Sequence, residues 1–429
     1  MNNQTSNLKS QPQTILFTHY GDNWIRGSER CLLDLITHID KQKFSPIVWC
    51  NSKAMEHEVK KLGIPVILGN FSLLYGWQAP RFDYMHYQQL VNEAQALIKT
   101  YKVDLLYANG GAPSQWLNRV AQVTQKPLVT QLHSRYPFRD RLTLKLHNAS
   151  KTIGVSQPII DQLLEDGVNA NQLQVVPNGI DTQRLLQQPI INLRQYINAT
   201  ENDFVIASIG SLIERKGMDI LINAIALLKQ QQTQTEQQIK VVIFGSGPEE
   251  QALERLIFEK DLAANVFLFG EKNNAFGMIK GTADLFISGA REEVFGLVLA
   301  EAGLAKLPVI APKVGGIPSV VVDQKTGILI EPENPQAMAD SIGQIMQNPD
   351  QLNKLGCAAY QHVQANFSIE QNVQHIEQLL TESLSSTQTK FKPGLSNLQV
   401  RQLIQRHLRK VVSIKCRTLL AKQIVRLQP

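Results

Sequence analysis

The chain has 429 residues, 43% of them hydrophobic, and a net charge of +6, too long for one ordinary domain and apolar enough for two cores. Its four cysteines, Cys31, Cys50, Cys357 and Cys416, show neither Cys-x-x-Cys nor Cys/His spacing, which excludes a disulfide framework and a structural zinc site and predicts a reducing cytoplasm. The polar start, Met1 to Gln13, and the lack of any run of about 18 uninterrupted apolar residues argue against secretion and against a membrane span.

Short apolar runs then alternate with longer polar segments: Ile15 to Phe17, Pro46 to Trp49, Val66 to Leu68, Leu105 to Tyr107, Leu128 to Thr130 and Thr152 to Val155. This is the rhythm of strand, helix and parallel strand. After the first run, Gly21 to Ser28 read as a loop leading into the helical pattern at Cys31 to Leu35, an ordinary strand-to-helix turn with Ser28 as N-cap and Gly27 for tightness. His133 closes the run Leu128 to Leu132 at a strand's carboxyl end, where it is either a packed capping residue or a group facing a cleft. Pro177 to Asp203 carries turn chemistry and reads as the linker.

A second set of runs begins at Phe204 to Ala207 and continues through Lys240 to Phe244, Val266 to Phe269, Leu285 to Ile287, Pro308 to Ile310 and Gly327 to Ile330. Two doubly wound α/β domains follow, and the default ligand site is the cleft where the carboxyl ends of their strands face each other. Arg215 and Lys216 lie in the loop after the first strand of this half, where they either neutralise a departing diphosphate or are simply solvated. Gly245, in Phe244-Gly-Ser-Gly-Pro-Glu249, opens a Gly-rich turn. Gln230 to Gln238 reads as an exposed helix end and loop.

The most informative stretch runs from Ser288 to Gly316. A buried strand, a loop and a helix starting near Gly296 succeed one another, so the N–H groups of Gly296 and Leu297 and the positive end of the helix dipole form an anion site. Glu293 and Glu301 flank it, and carboxylates beside a phosphate are better placed to accept hydrogen bonds from sugar hydroxyls than to touch the phosphate itself. A nucleotide sugar suits this arrangement. A nicotinamide-dependent oxidoreductase does not, because neither Gly-rich turn reads Gly-x-Gly-x-x-Gly with an acidic residue at the next strand's end.

The last forty residues hold Lys390, Lys392, Arg401, Arg406, Arg409, Lys410, Lys415, Arg417, Lys422 and Arg426 with no acidic residue, so the rest of the chain is net acidic. Val400, Leu403, Ile404, Leu408, Val411 and Val412 recur there at helical spacing. An amphipathic basic helix on anionic lipid and a helix packed on the first domain are both consistent with the pattern, whereas the lack of aromatic residues after Phe391 disfavours nucleic acid.

Gly27-Ser-Glu29, His133, Val176-Pro-Asn-Gly-Ile-Asp181, Arg215-Lys-Gly217, Gly245-Ser-Gly-Pro-Glu249, Glu293-x7-Glu301 and Gly315-Gly316, in this order, strongly resemble the family 4 retaining glycosyltransferases of GT-B fold over residues 14 to 382. The resemblance implies two Rossmann-like doubly wound parallel-sheet domains facing a central cleft: residues 1–185 bind the acceptor, 186–366 the nucleotide sugar, 367–389 form a closing helix returning to the first domain, and 390–429 are the basic tail. It assigns the diphosphate to Arg215 or Lys216 and the backbone at Gly296 and Leu297, the ribose hydroxyls to Glu301 and the donor sugar's hydroxyls to Glu293. It places His133 near the transferred sugar, Gly27 against the phosphate, Gly245, Val294 and Phe295 in the donor site, and Phe269 in a base-contacting loop. A nucleoside diphosphate sugar is the implied donor, with no cofactor and no metal; no Asp-x-Asp loop offers oxygen ligands for magnesium. The implied acceptor is a hydroxyl of a glycan or lipid-linked glycan in surface polysaccharide or lipopolysaccharide synthesis, at the inner face of the cell membrane; a nucleotide-sugar-binding protein without turnover is the alternative. The chain departs from the family at Ser211, where arginine is usual, and at Ser319, where the Gly-Gly-x-x-Glu pattern loses its carboxylate.

Overall fold

A computed structural model of the chain describes residues 11–77, 81–231, 238–385 and 399–409. Most of Gln230 to Gln238 and most of the basic tail, including Val411 and Val412, fall outside the described residues.

The first sheet contains β1 (Gln13–His19), β2 (Phe44–Cys50), β3 (Val66–Leu68), β4 (Leu105–Asn109), β5 (Leu128–Leu132), β6 (Lys151–Gly154) and β7 (Leu173–Val175), in the order β3-β2-β1-β4-β5-β6-β7. The second contains β8 (Phe204–Ile209), β9 (Ile239–Phe244), β10 (Val266–Gly270), β11 (Leu285–Ile287), β12 (Val309–Pro312) and β13 (Gly327–Ile330), in the order β10-β9-β8-β11-β12-β13. All pairings within the two sheets are parallel. Helices cover both faces, which is why the central strands read as unbroken apolar runs: Ile15, Leu16 and Phe17 are fully buried, as are Val241, Val242 and Ile243. In each sheet the order reverses between the first strand and the fourth, so the connections leaving the carboxyl ends of β1 and β4 in one, and of β8 and β11 in the other, run in opposite directions and leave a crevice between them.

The two halves are tied at a double crossing of the chain. Ile180 bridges Ser368, with the Ile180 amide donating to Phe367 O at 2.8 Å and the Ile369 amide to Ile180 O at 3.0 Å. Asn372 Nδ2 donates to Pro177 O at 2.6 Å, and a Cβ on Gly179 would come within 2.8 Å of the Ile369 Cα, so the Pro177-Asn-Gly turn is built to receive the returning chain. Beyond it the helix Ile369–Ser385 lays Ile369, Val373, Ile376, Leu379 and Leu380 into the apolar cluster that holds Ile15, Phe17 and Leu32 of the first half. Residues 399–409 form a further helix. Its Leu403 is 5% exposed, and the His407 ring stacks on Phe138 at 4.0 Å in the first half, while Ile404 and Leu408 stay exposed.

Candidate active site

Both halves contribute to one cleft of about 1340 Å³. The loop after β8 and the loop after β11 form its second-half wall and are locked together by glycines. Gly217, at φ +61, lies so close to Gly289 that a Cβ would fall 1.9 Å from the Gly289 carbonyl oxygen, and no other residue can occupy that contact. Arg291 completes the clamp: its amide donates to Arg215 O at 2.8 Å, and its guanidinium makes a bidentate bond to Asp219 at 2.9 and 2.7 Å and a third to Glu333 at 2.9 Å. Arg291 lay inside the motif read from the sequence, yet its clamping role joins partners 72 and 42 positions away that no spacing rule reveals.

Gly315 and Gly316 do the same for the acidic loop. A Cβ on Gly315 would meet Glu293 O at 1.9 Å and one on Gly316 would meet Val294 O at 1.9 Å, while the Gly316 amide donates to Glu293 O at 2.9 Å. Ser319, where the family pattern has a carboxylate, donates its hydroxyl to Gly316 O at 2.6 Å and so serves the same turn. The helix Leu297–Leu304 starts from Gly296 at φ +94. Among the described residues the Leu297 and Val298 amides have no protein acceptor, and both residues line the cleft, which leaves the positive helix end available to an anion.

Of the residues picked from the sequence, Gly27, His133, Arg215, Lys216, Gly245, Glu293, Val294, Phe295, Gly296, Leu297 and Glu301 all line this cleft. Their individual surroundings differ. Lys216 and Glu293, assigned to different parts of the ligand, form an ion pair with each other, and Glu293 Oε1 also accepts from the Val294 amide at 3.0 Å. Arg215 is exposed. Gly245, at φ +142, would place a Cβ 1.9 Å from Gly210 O, so this glycine packs one loop on the other. Phe269 is not among the lining residues: it packs edge-on against Phe244 at 5.6 Å and Tyr196 at 6.5 Å, and Phe244, Glu271 and Lys272 face the cleft in its place. Ser28 is not the N-cap of its helix; Arg26 holds that position, and its amide donates to Glu29 Oε2 at 3.1 Å.

Glu301 is partly buried, and loss of solvent pushes its carboxyl up to about 7, with Arg184 opposing, Asp34 reinforcing and Arg30 opposing. Asp34 and Arg184 also pair at 3.6 Å, so Glu301 sits in a charged seam where the second half meets the first half and the linker. Across the cleft, a Cβ on Gly27 would lie 3.6 Å from Leu297 Cδ1 and meet nothing closer, so the gap between the two loops is about one methyl group wide at this point. His133 Nε2 bonds Asn109 Oδ1 at 2.9 Å, and burial holds its ring down to about 4, with His19 adding to the effect and Glu29 opposing it. Among the described residues no group of three or more His, Cys, Asp or Glu side chains could hold a metal ion.

Two doubly wound parallel sheets facing across a cleft, with an unsatisfied helix N-terminus on one wall, define the GT-B class of glycosyltransferase folds. A model of the Glycosyltransferase Family 4 matches residues 25–184 and one of the Glycosyl transferases group 1 matches 190–362. The chain belongs to the family 4 glycosyltransferases. It is 28% identical over 233 residues to a D-inositol 3-phosphate glycosyltransferase of Salinispora tropica, the match covering 51% of this chain and 48% of that protein. Against an N-acetyl-alpha-D-glucosaminyl L-malate synthase of Bacillus anthracis the identity is 23%, over 62% of this chain and 78% of that one. Thus the chain spans about half the length of the first of these relatives. Its fold is that of Anabaena Alr3699/HepE, solved in complex with UDP, at a TM-score of 0.73 and 24% identity over 86% of this chain and 100% of that one.

Proposed function

We propose that this chain transfers a glycosyl group from a nucleoside diphosphate sugar to a hydroxyl acceptor, without a metal and with retention of anomeric configuration. The observation that carries the reading is the juxtaposition of the free N-terminus of Leu297–Leu304, Lys216 paired to Glu293, and Glu301, on one wall of a cleft whose other wall carries Gly27 and His133. A diphosphate docked on the Leu297 and Val298 amides draws Lys216 towards its oxygens and frees Glu293 to accept from the sugar's hydroxyls. Glu301 accepts from the ribose. As the bond from the anomeric carbon to the phosphate oxygen breaks, its electron pair stays on the diphosphate; the acceptor oxygen bonds the same face and its proton passes to the leaving diphosphate. Cation and helix dipole stabilise that charge in the role a divalent metal plays elsewhere. The UDP bound to HepE supports the donor class.

The acceptor we propose is a glycan or a lipid-linked glycan of surface polysaccharide or lipopolysaccharide synthesis. No described helix is long and apolar enough to cross a membrane, and exposed Ile404 and Leu408 beside Arg401, Arg406 and Arg409 would hold the cytoplasmic enzyme against the anionic inner face of the cell membrane. Removing residues 390–429 should release the protein from anionic liposomes in a sedimentation assay; unchanged sedimentation would end the membrane proposal. The Lys216–Glu293 pair, which neutralises the phosphate-facing cation, favours one rival: a nucleotide-sugar-binding protein without turnover. Incubation with NDP-sugars and a broad acceptor panel separates them, since binding with neither released nucleoside diphosphate nor transferred sugar supports the rival.

A further inference from the structure

Three polar side chains, Glu29, His19 and Asn109, form a continuous line behind His133. Glu29, 4% exposed, is bonded to His19 Nε2 at 3.0 Å. Nδ1 of His19, a residue only 2% exposed, meets Asn109 Nδ2 at 2.9 Å, and Asn109 Oδ1 meets His133 Nε2 at 2.9 Å. The direction of every bond is fixed by one contact at the middle. Asn109 Nδ2 also lies 3.2 Å from the Ser28 carbonyl oxygen, which can only accept, so this end of the amide is the NH2 and the other end is the oxygen. His133 must therefore donate from Nε2. His19 must accept at Nδ1 and donate from Nε2 to the Glu29 carboxylate, which also receives the Arg26 amide at 3.1 Å and the Ser28 hydroxyl at 3.1 Å.

Each member is placed by a different element. His19 ends β1, Asn109 ends β4, and Glu29 lies in the first turn of the helix Gly27–His38, so the line crosses the switch point of the first sheet. Gly21 leaves room for it: a Cβ there would fall 2.5 Å from His19 Nε2 and 2.9 Å from Glu29 Oε1.

We propose that Glu29, His19 and Asn109 are positioning residues that hold His133 as its Nε2–H tautomer, so that Nδ1 is an obligate hydrogen-bond acceptor for a hydroxyl or amide N–H of the transferred sugar. Among the described residues Nδ1 has no partner, and His133 lines the cleft. A donor presenting a carboxylate at that point sets lone pair against lone pair and is rejected. The sugar half of this inference rests on the transferase reading; the tautomer half belongs to the free protein and survives without it.

Histidine-selective 15N labelling of the full chain, with His133 assigned by His133→Gln, reads the tautomer directly and without substrate. The wild-type ring at neutral pH should show a protonated Nε2 and a bare Nδ1. In Asn109→Leu the two tautomers should mix and kcat should fall roughly a hundredfold with a much smaller change in donor KM, whereas Asn109→Asp, which still accepts from Nε2, should keep the tautomer. A proton on Nδ1 in the wild type, or an Asn109→Leu protein with unaltered tautomer, would overturn the relay. A set of monodeoxy donor sugars then tests its use: one position should lose turnover with the wild type and lose nothing further with His133→Ala. Should every deoxy donor behave alike while NDP-sugar binding persists, the sugar contact is wrong and the transferase reading is untouched.

Discussion

Three side chains carry the site's electrostatics. Lys216 and Glu293 neutralise each other across a half-buried contact, an arrangement whose desolvation cost is repaid only when both find further partners, as a diphosphate and a sugar hydroxyl would provide. Lys216→Ala should weaken NDP-sugar binding by about 1.5–3 kcal/mol, the worth of a charged hydrogen bond, in isothermal titration. Glu293→Gln should lower turnover while leaving the nucleoside diphosphate at least as tightly bound, because the freed cation serves the phosphate alone. Glu301 gives a pH signature. Its folded carboxyl lies at about 7, above the ordinary carboxylate range, so the folded state keeps this proton. The resulting stabilisation is complete below that ordinary range and is lost as pH rises to about 7, and Glu301→Gln should therefore outlast the wild type in thermal melts above neutrality. Nucleotide binding that needs the carboxylate releases the proton, so affinity should fall by up to about tenfold per pH unit below pH 7; a flat profile would remove Glu301 from the ribose. Glu293 and Glu301 were visible in the sequence because they share one segment with a Phe-Gly, while the ion pair to Lys216 was not, since its partners stand 77 positions apart.

At the level of elements, the loops that carry these residues are held by glycine contacts more than by side chains. Gly217→Ala would force a methyl into the Gly289 carbonyl at a positive φ and Gly315→Ala into the Glu293 carbonyl; each should cost roughly 1–3 kcal/mol of stability and, by displacing Lys216 or Glu293, more of kcat/KM than the melting shift accounts for. Gly27→Ala differs. Its methyl meets only Leu297 at 3.6 Å, so stability should hold while turnover falls, the outcome expected if the glycine makes room for ligand and not for protein. The central strands were legible because parallel strands buried on both faces read as continuous apolar runs. β7 was not, for Leu173–Val175 is a half-exposed edge strand with Gln174 at its middle and carries no such run. Ser28 misled because N-cap preference is local, whereas here the helix start is set by Glu29 accepting the Arg26 amide and His19.

For the whole molecule, the double crossing at Ile180 and Ser368 makes the two sheets a pair of jaws on one short joint, and the helix Ile369–Ser385 anchors the return strand of that joint in the first half's core. The cleft is thereby shared: the Lys216–Glu293 pair, Glu301 and the free end of the helix Leu297–Leu304 on one jaw, His133 and its polar line on the other, and Gly27 facing Leu297 between them. The measurement that tests this account most directly is a titration of the purified chain with UDP-, GDP- and ADP-sugars, read by melting temperature and by nucleoside diphosphate released with acceptor present, for the wild type and Lys216→Ala side by side. The account predicts that one base series raises the melting temperature and is turned over, and that Lys216→Ala needs roughly ten- to a hundredfold more NDP-sugar for the same melting shift and turns over more slowly. Equal binding by the two proteins, or no response to any of the three series, would contradict it.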